Sequence, residues 1–391
     1  VESHKVTYGH IIDPVDGRVI DEVLLTVFKA PKSYTKEDVV EISGHGGVLV
    51  TKQILELCLS VGARMARPGE FTERAYLNGR IDLSQAEAVM DLIEAPNEFA
   101  RELAISGVQG HIKKLIEPFL DRLMQMIANI EVNIDYPEYD DVEVLTEEKI
   151  LPDVKQFVLD IEKILRESKS GQIMREGVKT VILGKPNVGK SSILNVLLNE
   201  DKAIVTDIAG TTRDLVEGWV RLENVALHLI DTAGLRETGD VIERIGIEKS
   251  REALDKADLV IAVFDASKSL DDEDRELLAM TENKERIIVY NKADLIETRE
   301  ENALYVSAAN EDVSDLVDEI NRRFEVHQQA LHKPTLSNER HIAAVRSSLM
   351  AMKRAQEALE MGIELDLVTI DLNEAYIELA SIIMPKEDIN V

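Results

Sequence analysis

Apolar residues change their spacing along the chain. Up to about residue 80 they fall in short runs, Val23 to Phe28 and Val39 to Ile42, separated by Pro31-Lys32-Ser33 and Gly44-His45-Gly46-Gly47. Short apolar runs bounded by turn residues predict strands. Leu49 to Ser60 has a helical pattern, so this segment predicts a small α+β domain. From 82 to 170 the spacing becomes three and four. Val108, Ile112, Leu115, Phe119, Leu123, Ile127 and Ile130 make one long stripe, the signature of an amphipathic helix. Asp135-Tyr136-Pro137-Glu138 breaks it. A second helix is predicted from Glu147 to about Ser168, and Ser168 to Gly177 reads as a polar, glycine-containing linker.

Beyond the linker, apolar runs alternate with helical patterns. Val178 to Leu183, Ala226 to Ile230, Leu259 to Phe264, Arg286 to Tyr290 and Leu304 to Val306 predict strands. Lys190 to Leu198, Ile242 to Leu254, Asp274 to Met280 and Ser314 to Phe324 predict helices. That alternation implies a mostly parallel sheet covered on both faces. Ile342, Val345, Leu349, Met352, Ala355 and Leu359 then restore a helical stripe, with Ser337 or Asn338 as N-cap. A lone amphipathic helix must bury its apolar face, and the helices of 82–170 are the economical partner. The reading is an α/β segment inserted into a helical domain, with boundaries 1–80, 81–172, 173–330 and 331–391.

The 391 residues suffice for two or three domains. No apolar run approaches the ~20 residues that span a bilayer, and no secretory leader opens the chain. A soluble, cytoplasmic protein is expected. The single cysteine, Cys58, excludes an intramolecular disulfide and a multi-cysteine metal site; its apolar helical setting predicts a buried packing role. The net charge of −29 weighs against autonomous nucleic-acid binding, which needs clustered Lys and Arg. The chain starts at Val1 within a strand-like pattern and ends at Val391 without a stop signal, so it is expected to be part of a longer one.

Gly184-Lys185-Pro186-Asn187-Val188-Gly189-Lys190-Ser191 has the phosphate-loop spacing G-x-x-x-x-G-K-S between an apolar strand and a helix. Backbone N–H groups of such a loop face phosphate oxygens, and the helix N-terminus adds partial positive charge. Lys190 reaches the β/γ oxygens and the Ser191 hydroxyl ligates Mg²⁺. Asp231-Thr232-Ala233-Gly234 follows the next long strand, where the acid can hold Mg²⁺ through water and the Gly234 N–H can meet the γ-phosphate. Asn291-Lys292-Ala293-Asp294 ends the strand from Arg286. Its Asp294 carboxylate can accept two hydrogen bonds from guanine, a donor pair that adenine lacks. Ser307-Ala308-Ala309, after the next strand, would touch the guanine oxygen. Thr206-Asp207-Ile208-Ala209-Gly210-Thr211-Thr212 occupies the place of a first switch loop. A threonine there would complete the Mg²⁺ shell; chemistry alone leaves Thr211 and Thr212 open. The four motifs predict a GTPase rather than an ATPase.

Segments outside these motifs make the chain recognisable. Pro31-Lys32-Ser33-Tyr34-Thr35, Val39-Val40-Glu41-Ile42 with His45-Gly46-Gly47, Arg67-Pro68-Gly69-Glu70-Phe71-Thr72-Glu73-Arg74-Ala75 and Asp82-Leu83-Ser84-Gln85-Ala86-Glu87-Ala88 are present. So are Asp207-Ile208-Ala209-Gly210-Thr211-Thr212-Arg213-Asp214, and Asp231 to Glu237 followed by Glu243-Arg244-Ile245-Gly246. Together they resemble the MnmE (TrmE) family of tRNA-modification GTPases over nearly the whole chain. The resemblance implies a folate-binding-type α+β N-terminal domain that dimerises, and a helical domain carrying an inserted Ras-like P-loop GTPase domain. It implies a flavoprotein partner of the MnmG type and addition of a carboxymethylaminomethyl-type group to C5 of the wobble uridine of certain tRNAs. Tetrahydrofolate is the implied one-carbon source.

The same resemblance implies site roles. Asn187, Val188, Gly189, Lys190, Ser191 and Ser192 would bind GTP with the switch and base-reading residues above. Asn187, Thr206, Ile208 and Thr211 would coordinate K⁺, while Thr212 would join Ser191 on Mg²⁺. A bound K⁺ can supply the charge that an arginine finger supplies in other GTPases. Glu243 would position the attacking water through a second water. Glu41 and Arg80 occupy folate-binding positions; His45 reads as a turn residue. The family's C-terminal Cys-Ile-Gly-Lys and an N-terminal strand bearing an arginine have no counterpart here. The competing reading is a GTPase switch serving as an assembly factor, which would not need the signatures around Glu41, Arg74 and Arg80.

Overall fold

A computed structural model describes residues 2–135, 147–199, 218–230, 254–301, 303–328 and 333–389. The chain divides into two compact units, Val1–Val89 and Met90–Val391.

In the first unit, β1 (Val6–Ile12), β2 (Val19–Phe28) and β3 (Val39–Ser43) form an antiparallel sheet in that order. Helices α1 (Val48–Ser60) and α2 (Glu70–Leu77) follow. The strand from Val39 lies where the apolar run predicted it. The second strand starts at Val19, four residues before the predicted Val23, because Asp21 and Glu22 dilute the apolar run without stopping the ladder to β1. Helix α1 forms as predicted but buries no side chain. Cys58 on it is half-buried, not buried as expected. Glu70 is the buried charge of this unit, and the Arg64 guanidinium grips it through two bonds of 2.9 and 2.5 Å. A third bond comes from the Arg67 N–H, at 2.8 Å. These donors outweigh the cost of burying the charge and bring the Glu70 carboxyl down to about 2.

Helix α3 (Leu83–Ile93) crosses the division. Within the second unit, α4 (Glu98–Val108), α5 (His111–Asp135) and α6 (Glu147–Glu176) precede the sheet. Asn97 caps α4, its side chain accepting from the Ala100 N–H at 2.8 Å. The predicted stripe splits at its first residue. Val108 ends α4, and a turn at Gly110, with φ of +77°, starts α5 in a new direction. The predicted linker is also corrected, because α6 runs unbroken to Glu176. The polar and small residues there serve packing: Ser168 and Met174 are buried, and a Cβ on Gly171 would strike the Leu336 carbonyl oxygen.

After the sheet come α10 (Glu339–Glu360) and α11 (Leu365–Ala380), with Asn338 rather than Ser337 as the N-cap. Ile116, Leu123, Ile130, Phe157 and Ile161 from before the sheet share one core with Ile342, Val345, Met352, Leu372 and Leu379 from after it. The two helical stripes therefore bury each other, and the α/β segment leaves and re-enters the same layer.

The six-stranded sheet is built from β4 (Val178–Leu183), β5 (Gly218–Arg221), β6 (Ala226–Leu229), β7 (Leu259–Asp265), β8 (Arg286–Asn291) and β9 (Leu304–Tyr305). Its order is β5-β6-β4-β7-β8-β9, parallel except for the β5–β6 pair. Strand β7 is buried along its length, as expected for a sheet covered on both faces. Helices α7 (Lys190–Asn199), α8 (Asp272–Met280) and α9 (Ser314–Gln328) accompany it. Helix α8 starts two residues before the predicted Asp274 because Asp271 and Asp274 form a reciprocal capping box. Of the predicted helix from Ile242, only Leu254 lies among the described residues.

Candidate functional site

The phosphate loop joins the C-terminal end of β4 to the first turn of α7, at the carboxyl edge of the parallel strands where open α/β sheets place ligands. Its backbone needs left-handed geometry: φ is +61° at Asn187 and +98° at Gly189. Gly189 is required on two counts, since a Cβ there would also collide with Asn291 Nδ2. Lys190 Nζ donates to the carbonyl oxygens of Gly184 at 2.7 Å and Lys185 at 2.8 Å. Burial pushes this ammonium below its ordinary value. A half-buried cation resting on neutral carbonyls suits an anion, which restores the lost solvation. Ser191 lies half-buried in the first turn of α7; Asn187 and Ser192 are exposed.

The segment Asn291-Lys292-Ala293-Asp294 closes on this loop through Asn291. Its amide nitrogen donates to the Val188 carbonyl at 2.9 Å, and its amide oxygen accepts from the Ala308 N–H at 3.1 Å. One buried side chain thereby ties together the phosphate loop, the end of β8 and the Ser307-Ala308-Ala309 turn. Asp294 sits in the short 3₁₀ turn Ala293–Leu295 and is exposed. The Ser307 hydroxyl donates to its carboxylate at 2.6 Å, which fixes its orientation. Lys292, with φ of +66°, reaches Asp265 at 2.7 Å. Burial alone would raise the Asp265 carboxyl, but hydrogen bonds from Lys292 and Ser267 hold it at about 2. Ala293 is buried and Ala309 exposed.

Two contributors were not found from the sequence. Asp265 ends β7 beside Asn291 in the β7–β8 register; its position at the close of an apolar strand was the available signal. Lys185 pairs with Asp271, and with Asp274 at 3.0 Å, which anchors the loop on the start of α8. The pairing joins residues 86 positions apart, beyond the reach of local pattern.

Thr206, Asp207, Ile208, Ala209, Gly210, Thr211, Thr212, Asp231, Thr232, Ala233, Gly234 and Glu243 lie outside the described residues. In the first unit, Glu41 is exposed on β3 opposite Thr26. Arg80 is exposed, its guanidinium 4.8 Å from the centre of the Tyr34 ring. His45 contacts Asp21 twice, through its N–H and through Nδ1, both at 2.8 Å. Among the described residues no helix is long and apolar enough to cross a membrane.

Residues 1–80 match the model described as the GTP-binding protein TrmE N-terminus, and residues 83–391 match the MnmE helical domain. The chain belongs to the MnmE family. It is 48% identical over 384 residues to the tRNA modification GTPase MnmE of Streptococcus thermophilus (strain CNRZ 1066), covering 96% of this chain and 84% of that protein. To the protein of the same name from Streptococcus pneumoniae (strain Hungary19A-6) it is 46% identical over 387 residues, with the same coverage. Among solved structures it is similar to Era in complex with MgGDPNP and a segment of 16S ribosomal RNA. That match has 25% identity, covers 44% of this chain and 65% of the other, and has a TM-score of 0.30, too low to bear on the argument. As an MnmE-family chain with this loop and this carboxylate, the protein is a GTP hydrolase.

Proposed function

We propose that this GTPase drives tRNA modification, and that with an MnmG-type flavoprotein it places a carboxymethylaminomethyl-type group on C5 of the wobble uridine. The observation that carries the nucleotide half is the Asn291 amide, which fixes the phosphate loop and the base-reading turns in one frame. The curated relatives named tRNA modification GTPase support the tRNA half.

The finer assignments follow the same reading. Asn187 to Ser192, Thr206 to Thr212, Asp231 to Gly234, Asn291 to Asp294 and Ser307 to Ala309 bind GTP. Ser191 and Thr212 hold Mg²⁺, which neutralises phosphate charge when bound. Asn187, Thr206, Ile208 and Thr211 hold K⁺. The loop's half-buried Lys190 cation and its Gly189 cradle fit a triphosphate. Glu243 orients the attacking water. Glu41 and Arg80 take tetrahydrofolate: a carboxylate suits the pterin N–H donors, and a guanidinium suits a folate carboxylate. The domains are assigned to 1–80, 81–172, 173–330 and 331–391. A homodimer through the first unit is supported by its exposed Val6, Tyr8, Val40, Val48 and Leu49. The net charge of −29 suggests that the flavoprotein holds most of the tRNA, and the setting is the cytoplasm.

Nucleoside mass spectrometry of tRNA from cells lacking the protein tests the reading. Loss of the C5-modified wobble uridine, restored by the parent gene and not by a Lys190→Met variant, is expected. Normal nucleosides would favour the assembly-factor reading. Replacing K⁺ by Na⁺ in a hydrolysis assay tests the metal assignment: turnover should drop sharply, and equal rates would remove Asn187 from it.

A further inference from the structure

Two strands of the sheet differ from the rest in what they connect. The segment Thr206 to Thr212 precedes β5, and Asp231 to Gly234 follows β6 directly. The β5–β6 hairpin is therefore the covalent link between the two stretches that would answer to the γ-phosphate. Its direction is set by the register with β4. Leu227 pairs with Val178 and Leu229 with Thr180, so the Leu229 end points toward the phosphate loop. The turn between Arg221 and Ala226 lies at the opposite edge of the sheet, where α6 enters β4.

At that edge the hairpin is built into the helical layer. Ala226 shares a buried cluster with Phe99 of α4 and Met174 of α6, and Trp219 and Leu103 pack against it. The Trp219 ring lies over the Gly177 backbone so closely that a Cβ there would come within 2.5 Å of Cζ3. The same ring stacks on His228, with centroids 4.6 Å apart and planes 3° from parallel. Arg221 carries its guanidinium 5.6 Å from the Phe99 ring centre and 3.9 Å from Glu98. Asn224, in the turn, bonds Asn321 of α9 twice, both at 3.1 Å. The hairpin thus runs from the nucleotide edge to a packed seat on α4, α6 and α9. A stiff element held at both ends passes a displacement from one to the other, provided that it has two seatings.

We propose that the β5–β6 hairpin carries the nucleotide state to the helical layer, with Arg221 and Phe99 as positioning residues that seat it. This deepens the GTPase reading by naming its route to the rest of the unit. The chain holds one tryptophan, Trp219, so its emission, excited selectively over the tyrosines, reports on this seat. In this 391-residue chain, Trp219 emission and iodide quenching are compared with GDP and with a non-hydrolysable GTP analogue, binding of each being verified by calorimetry. A difference between the two states is expected. Identical emission with both nucleotides bound overturns the proposal, whereas absence of binding overturns the GTPase reading instead. Arg221→Gln, at a half-buried position, and Phe99→Leu should keep parental GTP turnover and lose the emission difference. A merely structural seat would lower the melting temperature and leave that difference in place, and such a result overturns the proposal as well.

Discussion

The six-stranded sheet and the three-stranded sheet use their apolar residues in opposite ways. Strand β7 is buried at every position, while β1 leaves Val6 and Tyr8 more than 60% exposed. The larger sheet is a closed structure. Its site is made of backbone curvature and buried amides, so side chains at the carboxyl edge are held from several directions. The smaller sheet leaves much of its apolar surface exposed and keeps order through ion pairs such as Arg64–Glu70. The contrast is that Lys190 and Asn291 are held by hydrogen bonds to neighbouring elements, whereas the candidate folate residues Glu41 and Arg80 stand exposed on the first unit.

The largest effect that would sharpen this contrast is at the site itself. Lys190→Met removes the half-buried cation of the loop and should lower GTP turnover about 10²–10³-fold, measured by phosphate release at saturating nucleotide. A variant at parental rate would break the account of the loop. Next in size is Asn291→Ala, which strips partners from the Val188 carbonyl and the Ala308 N–H in a buried site. Each orphaned group costs about 1–3 kcal/mol, so urea titration should show a loss of about 2–6 kcal/mol. Glu41→Ala, on the exposed strand of the other sheet, should stay within about 0.5 kcal/mol. Equal losses would erase the distinction between the two regions.

The smallest effect concerns acid. The folded Glu70 carboxyl, at about 2, lies below its ordinary 4.5, so ionisation favours folding. That contribution is complete above pH 4.5 and is lost as pH falls toward 2. Protection against hydrogen exchange across residues 64–74, taken relative to the intrinsic exchange rate at each pH, should fall over this window in the parent chain. Glu70→Gln should flatten the profile, and an unchanged profile would remove the ion pair as its cause.

Much of this was legible in the sequence, for identifiable reasons. The strands from Val178, Leu259 and Arg286 are mostly, fully and alternately buried, so their apolar runs mark them. Gly184 to Ser191 is legible because one short loop must satisfy several constraints at once. Local pattern failed where a residue answers to a distant one. Ser168 to Gly177 looks like a linker until Leu336 is seen to require Gly171. Val108 fits the stripe of α5 until Gly110 turns the chain. Lys185, Asp265 and Asp271 look like solvated charges, and only the fold brings them to the loop. Strand β5 was missed because four residues, Gly218–Arg221, are too few to show a period.

The central claim is that one pocket grips a triphosphate and inspects a guanine. The most direct measurement is the nucleotide preference of Asp294→Asn, read as kcat/KM for GTP and for xanthosine triphosphate. Reversing the hydrogen-bonding sense of this side chain should depress GTP use by about 10³-fold or more and raise use of the xanthine nucleotide. Undiminished selectivity for GTP in that variant would contradict the assignment of Asp294, and with it the reading of the pocket.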